Sequence, residues 1–273
     1  DPVTDSAAAA TAMNSGHKTY NAAINVTPSG QAVIPIARRL QSERGFSVGA
    51  VTSVPISHAT PACSYANNVS RNDFQDLSRD LLGFPSISHP DKPLPGLDVL
   101  IGAGWGVFQA SDAAQGTNFV PGNRYLTRRD QQQLSTRYEV AVRSPGVPGR
   151  KTLMAAASTA ASQGRSLFGF YGTPTAHLPF RTADGQFNPV QSIRDVETYS
   201  PADLSENPTL ADMTEAAIRV LERNKNGFWL MIEAGDVDWA SHDNNIDNCI
   251  GAILSGTDAF DVITRWAERN KAW

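Results

Sequence analysis

The sequence predicts an α/β fold, a mostly parallel sheet covered by helices. Two observations carry that prediction. Apolar runs over residues 46–54, 98–104 and 228–232 read as buried strands. Segments with helical spacing alternate with them, as in parallel strands joined by helical crossovers. The chain has 273 residues, enough for one large domain or two small ones. Its charge and hydrophobic content are those of an ordinary globular protein.

Asp5-Ser6-Ala7-Ala8-Ala9-Ala10 opens a run of strong helix formers that stops at Ser15-Gly16. Ser6 or a neighbour can cap this helix by accepting first-turn N–H bonds. The same N–H groups and the helix dipole suit an anion, so Ser6 reads either as a cap or as a nucleophile placed against a phosphate. Thr27-Pro28-Ser29-Gly30 is a turn. Residues 32–44 read as a helix closed by Gly45, and 46–54 as a Val-rich strand. A helix is expected over 59–68 with Pro61 in its first turn, and another over 72–82.

The segment 83–97 is a Pro-rich connection into the strand 98–104. Residues 105–165 carry weaker signals. Residues 125–137 look helical and polar, and 144–149 form a Pro/Gly loop. A strand is expected over 166–171 and loops over 173–205. Asn207 reads as a cap with Pro208 in the first helical position, ahead of Leu210, Met213, Ala217, Val220 and Leu221 at helical spacing. After the strand 228–232 comes an acidic stretch, and then a long amphipathic helix from Ile246 to Ile263. The chain starts without Met, just before Ser6, and ends after that helix. Both ends read as cut from something larger.

Net charge is −4 with no long basic run, which argues against a nucleic-acid partner. No apolar stretch approaches the roughly 20 residues of a membrane span. Cys63 and Cys249 either pair across the fold or stay as two buried free thiols.

Three stretches carry chemistry. Ser6 is the first. The second is Ser57-His58-Ala59-Thr60-Pro61, which follows a strand and opens a helix, with Arg71 eleven residues beyond Thr60. His58 reads as a structural or site histidine. Arg71 reads as a phosphate fork, or as a surface partner of Asp73 or Asp76. The third stretch is Glu233 to Asn244. Asp238 and His242 lie one helical turn apart, and Glu233 suits a hard ion such as magnesium. A solvated acidic loop is the plain alternative.

Together these stretches resemble the alkaline phosphatase family. The resemblance rests on residues 3–12, Val51-Thr52, His58-Ala59-Thr60-Pro61-Ala62 with Arg71, the strand 98–104, and the block 207–244 with Glu233, Asp238 and His242. It implies a three-layer sandwich, here incomplete, as one domain over 1–273 with a variable insertion-like region near 105–205. It implies phosphate monoester hydrolysis through a phosphoserine on Ser6, with Arg71 holding phosphate and Asp5 orienting Arg71. Asp238 and His242 would bind zinc. Thr60 and Glu233 would bind magnesium, with His58 beside it. The family's other zinc ligands have no match, so this chain by itself is expected to be inactive or nearly so, with apolar surface left exposed. Small phosphate monoesters and inorganic phosphate are the implied ligands. A homodimer and a periplasmic or extracellular location follow from the resemblance alone. The nearby alternatives are a phosphodiesterase of the superfamily or a catalytically silent metal-binding protein. A sulfatase would need Pro and Arg after the nucleophile, where this sequence has alanines.

Overall fold

The computed structural model describes residues 3–193 and 195–272. The chain begins with α1 (Ser6–Ser15), α2 (Ile36–Arg44), β1 (Ser47–Pro55), α3 (Ala59–Cys63), α4 (Phe74–Leu82) and β2 (Val99–Ala103). It continues through β3 (Phe108–Gln109), β4 (Gly122–Asn123), α5 (Arg128–Gln133), β5 (Tyr138–Val142), α6 (Gly149–Gln163) and β6 (Ser166–Phe170). The last part holds β7 (Val190–Gln191), β8 (Val196–Glu197), α7 (Pro201–Ser205), α8 (Leu210–Leu221), β9 (Phe228–Glu233), α9 (Asp236–His242) and α10 (Ile246–Asn270).

Five strands form a parallel sheet in the order β5-β6-β2-β1-β9. Side chains alternate across a strand with period two, and that alternation divides the interior into two cores. Val48, Ala50, Leu100, Phe168 and Phe170 face α1, α3 and α4. Val51, Val99, Ile101 and Leu167 face α6, α8 and the inner side of α10. Leu100 and Ile101 are fully buried on opposite faces, each burial contributing roughly 1.5–3 kcal/mol. The result is the expected three-layer sandwich. The chain leaves β1 toward β2 and returns on the other side of β1 as β9. Ligands of open α/β sheets bind at such a reversal, off the carboxyl ends of the strands.

The structure corrects several local expectations. Asp5, not Ser6, caps α1, with its carboxylate accepting Ala8 N–H. Ser6 is the first helical residue, because Asp5 has the extended backbone of an N-cap and its carboxylate meets the Ala8 N–H. Helix α2 starts at Ile36 rather than 32, since the residue before Pro35 is biased away from helical backbone. Helix α3 ends at Cys63 instead of 68, where Asn67 and Asn68 turn to satisfy neighbouring backbone and acids. Thr209 caps α8 in a capping box with Asp212, and Asn207 instead accepts Gly172 N–H. Only residues 128–133 of the segment 125–137 form an α-helix. Strand β5 and helix α6 were not legible in the sequence. The Ala- and Ser-rich α6 has too few large apolar residues to show a period.

Among the described residues, strand β9 has only β1 beside it, and it is half-buried along its length. On α10, Ile246, Ile253 and Phe260 are 72%, 54% and 61% exposed, in keeping with an incomplete fold. The inner side of α10 is tight. Arg181 O accepts from Asn248 Nδ2 at 3.0 Å, and a Cβ at Gly251 would lie 1.9 Å from that same oxygen. Gly251→Ala is expected to destabilise the protein by about 1–3 kcal/mol, read as a lower Tm by several degrees. An unchanged Tm would show that the loop at Arg181 yields freely.

Candidate active site

The site begins at the first turn of α1. Ala7 and Ala10 are buried, and Cys63 of α3 donates its S–H to Ala7 O at 3.3 Å. Small side chains let the two short helices approach closely, which sets Ser6 and His58 on one wall. Asp5 accepts from Ala8 N–H at 2.9 Å, from Ala22 N–H at 2.9 Å and from Arg71 Nη1 at 3.0 Å. Burial pushes its pKa up, but these hydrogen bonds and the Arg71 charge outweigh it and hold the carboxyl below its usual value. Arg71 Nη1 also donates to Ser6 Oγ at 3.2 Å, and its Nη2 lies 3.4 Å from His58 Nε2.

His58 follows β1 and caps α3 with extended backbone. Burial, reinforced by the Arg71 and Arg124 charges, holds its imidazole down to about 3. The ring is therefore neutral at ordinary pH, with Nε2 free to accept from Arg71. Trp239 meets it edge-on at 5.5 Å. On α9, Asp238 Oδ1 and His242 Nε2 lie 3.6 Å apart, both well exposed. Asp5, Ser6, His58, Arg71, Asp238, Trp239, His242 and Asp243 line one cavity of about 460 Å³.

Glu233 lies at the end of β9, in register with Thr52 of β1, whose hydroxyl donates to its Oε2 at 2.6 Å. The residue keeps some surface, but its carboxyl end is deep. Burial raises its pKa, and hydrogen bonds from Thr52 and Thr60 oppose the rise. Thr60 and Glu233 are thus brought together beside the cavity. Next to them, Ser53 donates to the buried Asp236 at 2.5 Å and ties the start of α9 to β1. Burial raises Asp236 to about 6.

Every residue singled out from the sequence therefore gathers off the carboxyl ends of β1 and β9. Thr52, Trp239 and Asp243 join the site beyond the residues the sequence singles out. Trp239 was findable, since one helical turn carries Asp238, Trp239 and His242. Thr52 was not, because its role comes from strand register. Cys63 and Cys249 are both free, and burial pushes the Cys63 thiol up to about 12.

The donor chemistry can be set against the implied metals. Glu233 with the Thr60 and Thr52 hydroxyls is an all-oxygen set suited to a hard cation. Asp238 and His242 are donors of the kind zinc takes, but they are two where a tetrahedral site needs four. Among the described residues, no group of three or more His, Cys, Asp or Glu side chains is arranged to hold an ion. The oxygen set fits its metal, and the α9 pair fits only a share of one.

His177 supports this wall from behind, stacked on Phe180 at 3.8 Å and edge-on to Trp239 at 5.6 Å. Its Nδ1 donates to Leu178 O at 2.7 Å, and its Nε2 accepts from Thr175 Oγ1 at 2.9 Å. Burial depresses its pKa from 6.5 to about 4, against smaller raising effects of Leu178 O and Asp243. A depressed pKa gives stability that is full above pH 6.5 and lost as pH falls toward 4. As pH falls from 7 to 4, the unsubstituted protein is expected to lose stability relative to His177→Gln, read as a steady shift in the difference between their Tm values. Parallel profiles would contradict this. Asp236 and Asp76, both raised to about 6, act in the opposite sense in both proteins.

A family model described as alkaline phosphatase matches residues 1–272. Alkaline phosphatase 4 of Bacillus subtilis is 29% identical over 98% of this chain and 47% of its own length. The alkaline phosphatase of Thermus thermophilus superposes with a TM-score of 0.68 at 25% identity, over 98% of this chain and 46% of that one. A His-to-Asp mutant of the enzyme from the Antarctic bacterium TAB5, with Mg bound in its M3 site, superposes at 0.63 and 23% identity, over 99% of this chain and 62% of that one. The chain spans about half the length of the curated relatives it matches.

Proposed function

The chain belongs to the alkaline phosphatase family, and we propose that it carries the nucleophile side of a phosphate monoester hydrolase, with Ser6 as the attacking group. The observation that supports this most is the guanidinium of Arg71, whose Nη1 donates to both Asp5 and Ser6 Oγ on the wall of a cavity wide enough for a phosphoryl group. The Ser6 oxygen forms a bond to phosphorus while the ester P–O bond breaks and the alcohol leaves with a proton. Water then attacks the phosphoserine, the Ser6 O–P bond breaks, and inorganic phosphate is released. Arg71 binds the equatorial oxygens and stabilises their charge. Asp5 keeps Arg71 in place, and the neutral His58 accepts from its other amino group without adding positive charge.

Thr60 and Glu233 would hold magnesium, with His58 beside it, and Asp238 and His242 would share in a zinc site. Such ions supply Lewis acidity that lowers the pKa of a hydroxyl or water to about 7. The mutant TAB5 enzyme with Mg bound is in keeping with magnesium in this family. By itself the 273-residue polypeptide is expected to be inactive or nearly so, since the α9 pair gives zinc only two ligands. The family also points to an exported, dimeric enzyme. No helix among the described residues is long and apolar enough to cross a membrane.

The test is turnover of p-nitrophenyl phosphate and of bis(p-nitrophenyl) phosphate by the full-length protein with zinc and magnesium. Monoester turnover that dominates and is abolished by EDTA is the expected result. Dominant diester turnover would make it a phosphodiesterase. Metal binding without turnover of either ester would make it a silent binding protein.

A further inference from the structure

A second cavity, of about 410 Å³, shares no residue with the Ser6 site. It lies between α2 and the segment 89–95. Ile34, Pro93, Leu94 and Pro95 supply apolar walls, and Arg38, Lys92 and His89 supply the polar ones. No acidic residue lines it, although the chain as a whole carries −4.

His89 pairs with Asp80, while Arg38 and Lys92 make no direct ion pair among the described residues. Arg38 is half-buried and donates Nη1 to the neutral Asn67 Oδ1. Among the described residues, no carboxylate lies within 4.0 Å of Arg38 or Lys92. Asp80 lies under the floor, but its oxygens already accept from Ser86 Oγ, from His89 Nδ1 at 3.0 Å and from Asn67 N–H at 3.0 Å. Asp80 is the opposing charge felt by the half-buried Arg38, but it makes no ion pair with it, so an anion bound in the groove would add a direct partner to a partly desolvated guanidinium. Arginine's planar fork suits a two-oxygen head group, and lysine adds a mobile point charge at the rim.

We propose that this groove is a separate binding site for a small organic anion, whose charged head pairs with Arg38 and Lys92 and whose apolar body lies on Ile34, Pro93 and Leu94. Its volume falls in the range of small-molecule sites, and its mix of apolar walls with few polar groups is theirs. The inference does not depend on the chemistry at Ser6.

The probe is 2-naphthalenesulfonate, which has an anionic head and a flat apolar body and no phosphate to hydrolyse. Calorimetric titration of the full-length protein is expected to show one bound molecule. Excess inorganic phosphate should leave that binding unchanged, as should the Ser6→Ala variant. Affinity should fall about tenfold or more in Lys92→Glu and in the double variant Arg38→Gln/Lys92→Gln. Lys92 is exposed, so Lys92→Glu keeps the fold and the monoester turnover even if the double variant does not. Absence of binding, displacement by phosphate, or an unchanged affinity in Lys92→Glu would each overturn the proposal. Absence of binding includes the case in which a segment outside residues 1–273 covers the groove.

Discussion

Ser6→Ala in the full-length protein is expected to remove phosphate monoester turnover, by a factor of about 10³ or more, with little change in stability. The two halves of that expectation have separate causes. A group that forms the covalent intermediate has no substitute in a methyl side chain, so the loss is large. The fold is indifferent because Ser6 is not the cap of α1. Asp5 holds that position and accepts the Ala8 N–H, and the Ser6 hydroxyl touches only the tip of Arg71. Alanine is at home in a first helical turn. Turnover of p-nitrophenyl phosphate and thermal unfolding, measured side by side, check both halves. Retained turnover would remove Ser6 from the chemistry. A large fall in Tm would mean that the hydroxyl supports the helix after all. Asp5→Ala should do the reverse on stability, losing about 1 kcal/mol with the cap.

Arg71→Lys is expected to lower kcat/KM by about 10²-fold and to weaken inhibition by inorganic phosphate. The guanidinium reaches three groups at once: Asp5 Oδ2 at 3.0 Å, Ser6 Oγ at 3.2 Å and His58 Nε2 at 3.4 Å. That fork fixes its plane relative to the cavity. An ammonium is a single point and cannot hold Asp5 while presenting two parallel N–H groups to a phosphate. Because the proposed role of Arg71 covers both bound phosphate and the transferring group, KM and kcat should both move. A phosphate inhibition constant equal to that of the unsubstituted protein would show that Arg71 serves the fold alone.

Much of this site is legible in the sequence, and the reason is local. A serine at the start of a helix, a histidine after a strand, and an Asp and His one turn apart each depend on spacings shorter than a dozen residues. The strands β1, β2, β6 and β9 were legible for the same reason, since each is a continuous apolar run. Strand β5, with its exposed edge, and α6, built of small residues, have no strong pattern of their own. They take their structure from β6 and α8, which the sequence does not place beside them.

What the sequence by itself determined is therefore the fold class, most of the sheet and the identity of the chemical groups. What only the tertiary structure decided is how they meet. Arg71 reaches Asp5 across 66 residues, and Thr52 reaches Glu233 across 181. Those pairings arise because β9 returns to the free side of β1 and because small side chains let α1 and α3 lie close. The extended backbone at Asp5 makes it the cap of α1, which leaves the Ser6 hydroxyl facing Arg71. Packing and register act between segments far apart in the chain, so no local pattern records them.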